Sequence, residues 1–276
     1  MHTTFRQLLF IMLLLGIAGS AFAQGLPTTQ PNVLMIIREE VKVGHGADHA
    51  KTEAGWPAAF EKAKFPYYYL AYVSLTGQPE AWFVAPFESH AALGDSMKRE
   101  NDDPVLAAEL ERLSREDAAH INGTRTLHCA ARKDLSYGAF PDIAKQRFWE
   151  ITIFHMKPGH EASFVAAAKA YGAAAGRAAP GTSYRVYEVV AGIPGPTYVI
   201  FSSVGSFGEF DKMTTDGEAT MKGLTAEERA TLQKFTTEGL VKAETQRFRL
   251  DPAMSYVPGT ARSQDPGFWT PKKPSM

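Results

Sequence analysis

The sequence contains a single cysteine, Cys129, among 276 residues. One thiol cannot form an internal disulfide, so the stability of the fold must come from its core. Cys129 lies in a stretch typical of a strand, and no catalytic or metal-binding motif surrounds it. We therefore interpret it as a small buried hydrophobic residue and not as a nucleophile.

The sequence also lacks an excess of charge of either sign. It has 29 basic and 30 acidic residues, a net charge of −1, and no basic stripe of the kind that nucleic-acid binding requires. It contains no G-x-S-x-G, no HExxH, no phosphate-binding loop and no dinucleotide-binding fingerprint. These absences leave hydrolase, zinc-protease and nucleotide-dependent functions without support, and we expect no nucleic-acid partner.

Only one long apolar run is present, and it lies at the N-terminus. Arg6 precedes the run Leu8–Leu15, and small residues then lead to Ala21-Phe22-Ala23. This pattern is typical of a signal peptide, and the run is shorter than the about 20 apolar residues that cross a bilayer. We expect cleavage of residues 1–23, a mature chain without a membrane segment, and a periplasmic or secreted location. An uncleaved anchor is the alternative.

The remaining chain contains an internal repeat. Val41-Lys-Val-Gly-His45 recurs 115 residues later as Met156-Lys-Pro-Gly-His160, and Gly77-Gln-Pro79 recurs at the same offset as Gly192-Ile-Pro194. Repeated landmarks in one order predict repeated structural units. We place the first repeat at 24–140, the second at 141–257, and a proline-rich tail at 258–276. The tail is expected to be extended, with Phe268 and Trp269 anchoring it.

Each half follows the pattern β-α-β-β-α-β. Strands are predicted near 32–42, 67–76, 80–87 and 124–133, then near 147–157, 182–191, 196–204 and 242–251. Helices are predicted near 47–64, with a break at Trp56 before Pro57, and near 89–99, 104–118, 160–176, 206–214 and 225–238. This order is that of the ferredoxin-like fold. One such sheet leaves a bare face, which a second sheet can cover. We predict an α+β fold in which two tandem ferredoxin-like repeats close a barrel within one chain.

The segment Phe148–Phe164 resembles the opening of dimeric α+β barrel proteins, which include the antibiotic biosynthesis monooxygenase, NIPSNAP and EthD-like groups. It has their strand, Lys-Pro-Gly turn and helix with an early aromatic residue. The first half departs from this pattern, because Glu39 and Glu40 precede the turn and Val43 replaces the proline. The resemblance marks the fold, which hosts many functions.

The resemblance implies a monomeric pseudo-dimer or a homodimer that binds a small apolar or aromatic molecule. It implies chemistry of the monooxygenase type on small aromatic compounds, without a cofactor. Two alternatives stay open, because the superfamily also contains members without a known activity and members that bind haem. The first is a non-catalytic binding or stress-response module, and the second is a haem-binding relative.

Six residues are candidates for a small-molecule site. His155 and His128 lie in strands and are candidates for proton transfer, although buried structural histidines are common. Aromatic side chains on strands mostly build core, but some must line any cavity between sheet and helices. The ligand-binding candidates are Trp82, Trp149, Tyr187 and, for a carboxylate or phenolate, Arg247.

Three further histidines bear on metal and haem binding. His45 and His49 stand four residues apart, a spacing that places two imidazoles on one helical face. The second half has Phe164 at the position of His49, and no third ligand is evident, so we interpret the pair as structural and predict no metal site. His160 begins the second-half helix and is the candidate haem ligand, with an exposed loop histidine as the alternative.

Overall fold

A computed structural model describes residues 25–270, so the predicted signal peptide and the last six residues lie outside the described residues. The chain forms a closed barrel of eight antiparallel strands with helices packed outside it. The strands are β1 Val33–Val41, β2 Tyr69–Ser74, β3 Glu80–Phe87, β4 Ile121–Ala131, β5 Phe148–Met156, β6 Arg185–Ala191, β7 Thr197–Val204 and β8 Leu240–Tyr256.

Nine α-helices connect and cover the strands in the described part of the chain. They are α1 Gly46–Glu53, α2 Gly55–Ala63, α3 His90–Asp102, α4 Pro104–Asp117, α5 Glu161–Ala178, α6 Glu209–Lys222, α7 Ala226–Lys234, α8 Gly259–Gln264 and α9 Pro266–Trp269. Within residues 25–270, no helix combines the length and the apolar character needed to cross a bilayer.

The strands follow the order β1-β3-β2-β8-β5-β7-β6-β4 around the barrel. Each half of the chain contributes four neighbouring strands, in the orders β4-β1-β3-β2 and β8-β5-β7-β6. Two seams, β2 with β8 and β4 with β6, join the halves. The predicted α+β barrel is confirmed. The fourth strand of each half, β4 and β8, is hydrogen-bonded on both sides.

The barrel interior is the main hydrophobic core. Side chains of a strand alternate between its two faces, and the inward set is almost wholly apolar and buried. Cys129 belongs to it and is fully buried, as the sequence analysis expected. Burial raises the pKa of its thiol to about 12, which keeps the sulfur protonated and unreactive.

Side-chain caps fix the starts of several helices. Asp103 accepts hydrogen bonds from the amides of Val105 and Leu106 at 3.0 Å each, with Pro104 following it. Thr225 and Glu228 form a capping box at the start of α7. Helix α6 begins at Glu209, three residues after the predicted start at Ser206.

The break in the first long helix lies at Ala54 and not at Trp56. Pro57 is instead the third residue of α2. Backbone N–H groups in the first turn of a helix have no intrahelical acceptor, so proline is tolerated there. Gly55, the residue after the break, permits the close approach of α4. A Cβ atom at this position would lie 2.4 Å from a methyl carbon of Leu113.

The described part of the predicted C-terminal tail, residues 258–270, is not extended. It forms the two short helices α8 and α9, and Asp265 caps the second. Trp269 is buried and packs against the barrel core, and the guanidinium of Arg147 lies 3.9 Å from the ring centroid of Phe268. Arg147 also forms an ion pair with Asp265. Phe268 and Trp269 therefore anchor the tail, as predicted.

Replacing Trp269 with alanine should destabilise the protein. Loss of a buried tryptophan costs about 3 kcal/mol or more, because contacts are lost and a cavity remains. Denaturant unfolding measures the change. The control is Val43→Ala, because Val43 is 86% exposed and its truncation should change stability by less than about 0.5 kcal/mol. Equal stability of both variants would contradict the anchoring role.

Candidate functional site

Two cavities lie between the outer face of the barrel and the helices, one in each half. The first-half cavity has a volume of about 370 Å³ and lies between β1–β3 and helices α1–α4. The second-half cavity has a volume of about 360 Å³ and lies between β5–β7 and helices α5 and α7. Both volumes fall within the range of small-molecule sites.

The two cavities are built from matching positions. Tyr69 and Tyr184 stand 115 residues apart, each lines its own cavity, and each has a buried hydroxyl group without a hydrogen-bond partner. Met35 and Glu150, separated by the same offset, line the floors. The backbone shows the same correspondence, because Lys42 N–H donates to the carbonyl of His120 and Lys157 N–H donates to that of Gly239.

The first-half cavity combines aromatic walls with an acidic end. The walls consist of Trp56, Phe60, Phe65, Tyr67, Tyr68, Tyr69, Phe83 and Phe87. Glu39 and Glu53 line one end, and His49 and Asp117 lie beside them. We call Glu39, His49, Glu53 and Asp117 the acidic cluster. One ligand atom from each of them lies within 4.8 Å of all the others.

The acidic cluster is buried. Nε2 of His49 lies 2.9 Å from Oε2 of Glu39 and 3.9 Å from Oδ1 of Asp117. His49, Glu53 and Asp117 are each no more than 4% exposed. Neither carboxylate oxygen of Asp117 has a hydrogen-bond partner, which is rare for a buried polar group.

Burial and mutual repulsion shift the protonation of these carboxyl groups. Burial, reinforced by the carboxylates of Glu39 and Asp117, raises the pKa of Glu53 to about 10. Burial also raises the pKa of Asp117, although His49 partly offsets this effect. Glu53 therefore holds its proton at neutral pH and is a hydrogen-bond donor.

The hydroxyl group of Tyr69 is the clearest unused polar contact of this cavity. It is buried and unpartnered, and burial, followed by Glu53 and Glu39, raises its pKa well above the ordinary value. It stays protonated and is available to donate a hydrogen bond. A ligand oxygen in the cavity would satisfy it.

The second-half cavity lacks this acidic end. The positions of Glu39, His49 and Glu53 are occupied, 115 residues later, by Phe154, Phe164 and Ala168. These residues pack into an apolar cluster with Phe235. The two cavities thus share a shape but differ in chemistry.

The structure separates the two histidine candidates. His155 lies on the inward-facing side of β5, at an end of the barrel, with Nδ1 3.1 Å from the hydroxyl of Thr197 and Nε2 3.7 Å from Glu244. His128 lies on the outward face of β4, opposite Met35 in the ladder. Neither histidine lines a helix-side cavity. Because they lie on opposite faces of the barrel wall, they do not form a common site.

The aromatic candidates point into the barrel and not towards the helices. Trp82 is 1% exposed, packed against Phe248 at 5.1 Å between ring centroids, so no ligand reaches it. Trp149 and Tyr187 line an interior cavity of only about 80 Å³, which is too small for an aromatic ligand. The sequence placed these residues at a helix-side cavity, whereas the structure places them inside the barrel. Alternation along a strand separates its two faces but does not show which of them faces the interior.

Arg247 lies on the outer face of β8 and is already engaged. Its Nε donates to Glu150 at 3.0 Å, and its guanidinium lies 4.2 Å from the ring centroid of Phe210. Glu150 lines the second-half cavity, but Arg247 does not. The arginine therefore neutralises a carboxylate at that cavity and is not presented to a ligand.

His45 and His49 do not face a common point. Nδ1 of His45 lies 3.2 Å from Nδ1 of His120, whereas His49 contacts Glu39. His160 is the N-cap residue of α5 and packs on Gly239. His160 is not part of the described lining of the second-half cavity, which contains no histidine or cysteine.

Glu53, Asp117 and the unpartnered hydroxyl of Tyr69 were not recognised as site residues from the sequence. One signal was present, because His49 replaces the phenylalanine of the other half and Glu39 interrupts an apolar strand. Asp117 carried no such signal, since an acidic residue at the end of a helix usually faces solvent.

Comparison with known proteins identifies the fold. No protein-family model matches the chain, and no curated protein matches its sequence. A candidate monooxygenase from Fusobacterium nucleatum has 9% identity and a TM-score of 0.52, over 80% of this chain and 93% of that chain. An anthrone oxidase-like protein has 9% identity and a TM-score of 0.54, over 81% and 92%.

A chlorite dismutase variant from Candidatus Nitrospira defluvii has 11% identity and a TM-score of 0.49, over 84% of this chain and 96% of that chain. Identities this low carry the fold and not the activity. The chain has the dimeric α+β barrel fold, in agreement with the resemblance found in the sequence.

Glu100 supplies a pH test of the first-half cavity, which it lines. Burial raises its pKa to about 7, so the folded protein binds this proton more tightly than the unfolded chain. The contribution of Glu100 to stability should therefore fall as the pH rises from about 4.5 to about 7. Each pKa unit corresponds to about 1.4 kcal/mol, and partial exposure reduces the effect.

We expect Glu100→Gln to be more stable than the wild type by about 1 to 2 kcal/mol at pH 8 and nearly equal at pH 5. Urea unfolding at both pH values measures this difference. Glu238→Gln, at an exposed position, is the control and should show no pH-dependent difference. The same offset for Glu100→Gln at pH 5 and pH 8 would contradict the shifted pKa.

Proposed function

We propose that this protein binds a small aromatic molecule carrying a polar oxygen group in the first-half cavity, and that it acts there as a monooxygenase-like enzyme. The observation that carries the proposal is the unpartnered, buried hydroxyl of Tyr69 beside Glu39 and Glu53. A buried donor without a partner costs about 1 to 3 kcal/mol, and a ligand oxygen would remove that cost.

The walls of the cavity favour a flat and largely apolar ligand. Phe60 packs edge-on to Tyr69, and Tyr69 packs edge-on to Phe83, with ring centroids 6.0 Å apart in both pairs. Such rings offer faces and edges on which an aromatic ligand can pack. The acidic end then contacts the polar group of the ligand, where a carboxylate can accept a proton and a protonated carboxyl group can donate one.

Two observations support the monooxygenase class. The fold is similar to those of a candidate monooxygenase and an anthrone oxidase-like protein, and the sequence resembles the antibiotic biosynthesis monooxygenase group. A non-catalytic binding module is the second candidate. It is favoured by the second-half cavity, whose aromatic lining has replaced the acidic end. The two candidates differ in turnover and not in binding.

The two halves are proposed to be tandem ferredoxin-like repeats, so that one chain reproduces a dimer. The matching strand orders and the constant offset of 115 residues between β1 and β5 support this. Within residues 25–270 all eight strands are paired on both sides inside one chain, so these strands offer no free edge to a second copy. The protein is also proposed to be exported and to act as a monomer.

Two matched variants locate the ligand site. Tyr69→Phe removes a hydroxyl from the first-half cavity, and Tyr184→Phe removes its counterpart from the second. Calorimetric titration with phenols, quinones and anthrone-type compounds should show one bound ligand per chain. Tyr69→Phe should weaken this binding about tenfold by loss of one hydrogen bond, and Tyr184→Phe should not.

Neither variant should lose stability, because each removes an unsatisfied buried group. Weaker binding in Tyr184→Phe alone would move the site to the second half. No binding to the wild type by any of these compounds would overturn the proposed function. Oxygen consumption with a bound compound supports the enzyme, whereas binding without turnover supports the non-catalytic module.

Native mass spectrometry of protein recovered from an exporting host tests localisation and assembly together. We expect a monomer that begins at Gln24, because cleavage follows Ala23 and the barrel closes within the chain. Retention of residues 1–23 would contradict the signal peptide, and a stable dimer would contradict the monomeric assembly.

A further inference from the structure

The acidic cluster brings together three carboxyl groups without a lysine or arginine partner. Glu39, Glu53 and Asp117 approach one another around His49, and no lysine or arginine among residues 25–270 forms an ion pair with any of the three. Buried carboxylates in proteins are normally paired with a cation or coordinate a metal. His49 contacts Glu39 at 2.9 Å, and both side-chain oxygens of Asp117 are left without a hydrogen-bond partner.

The position of Asp117 adds a second, independent constraint. It is the last residue of α4, where the partial negative charge of the helix end disfavours a carboxylate. Its side chain is only 3% exposed, and both oxygens lack a hydrogen-bond partner. Among residues 25–270, the only basic group within ion-pair distance of these oxygens is His49, at 3.9 Å, so a bound cation would stabilise the carboxylate of Asp117.

The spacing of the cluster suits one small ion. Two ligand atoms about 2.1 Å from an ion can be up to about 4.2 Å apart, and the four atoms here lie within 4.8 Å of one another. To contact one ion together, the four ligand atoms must move by roughly half an ångström. Rotation of the long glutamate side chains provides such shifts. One nitrogen and several carboxylate oxygens form a donor set that suits Mn²⁺, Fe²⁺ or Zn²⁺.

We propose that Glu39, His49, Glu53 and Asp117 bind one divalent transition-metal ion at the acidic end of the first-half cavity. The inference depends on the geometry of the cluster and not on the identity of the organic ligand. It replaces the sequence-based expectation of cofactor-free chemistry with a metal centre in contact with the cavity through Glu39 and Glu53.

A neighbouring group provides an internal comparison. His45, Asp48 and His120 also lie within 4.8 Å of one another. Asp48 is exposed and the two histidines are only partly buried, so water can satisfy these side chains. This outer group contains no buried unpartnered atom among the described residues, and it is not the proposed site.

The test uses the full mature chain, freed of metal with a chelator and titrated with Mn²⁺ or Zn²⁺ by calorimetry. The wild type should bind one ion per chain, and its melting temperature should rise with metal concentration. Asp117→Asn and Glu53→Gln keep the side-chain volume and should each weaken binding by about 100-fold or more, since each removes a charged ligand. Asp48→Asn and His120→Asn should bind as the wild type does.

Metal-free Asp117→Asn also reports on folding, because it removes one uncompensated carboxylate. Its melting temperature should equal or exceed that of the metal-free wild type, which separates loss of metal from loss of structure. Failure of the wild type to bind either ion at 1 mM (roughly 4 kcal/mol of binding free energy) would overturn the proposal. Loss of binding in Asp48→Asn with retention in Asp117→Asn would also overturn it, in favour of the outer group.

The metal experiment and the ligand experiment fail independently. Tyr69→Phe removes no metal ligand, so it should bind the ion as the wild type does while binding the organic compound more weakly. An ion bound without any effect of Tyr69 on organic ligands would leave the metal site standing and overturn the proposed function.

Discussion

Closure of the barrel depends on two rows of backbone hydrogen bonds, between β2 and β8 and between β4 and β6. These seams satisfy strand edges that would otherwise pair with other chains. They also create an enclosed interior that the inward side chains of all eight strands fill. Since this interior is packed by residues such as Trp82 and Phe248, little room remains inside for a ligand, and the open space lies on the outer face.

The outer face is covered by helices, and the two halves have used the resulting space differently. In the second half Phe164 of α5 packs on Phe154 of β5, which gives an apolar layer between helix and strand. In the first half partly buried Glu39 and buried His49 occupy those positions, beside two further buried carboxyl groups. Such a substitution costs stability, so its presence in one half only is the strongest sign of selection for function in the described chain.

Much of the fold was predictable from local signals. The element order, the hairpin turn at Gly77 and the caps at Asp103 and Thr225 follow from residue types and spacing. The orientation of Trp149 towards the barrel interior was not predictable, because alternation along a strand separates two faces but does not show which face is interior. Asp117 became informative only when tertiary packing brought the end of α4 against β1 and α1. The helices of the tail were missed because they are only six and four residues long and each follows a break or proline, and Trp269 is buried against the barrel.

The β2–β8 seam has a consequence for biosynthesis. Tyr72 pairs with Leu250, so an edge strand made early finds its partner only when the last strand of the barrel has left the ribosome. Contacts this distant in sequence slow folding, and the first half keeps an unpaired strand while the rest of the chain is synthesised. The nascent chain therefore stays incompletely folded for the whole of translation, and its exposed edge requires protection by a chaperone or by delayed collapse.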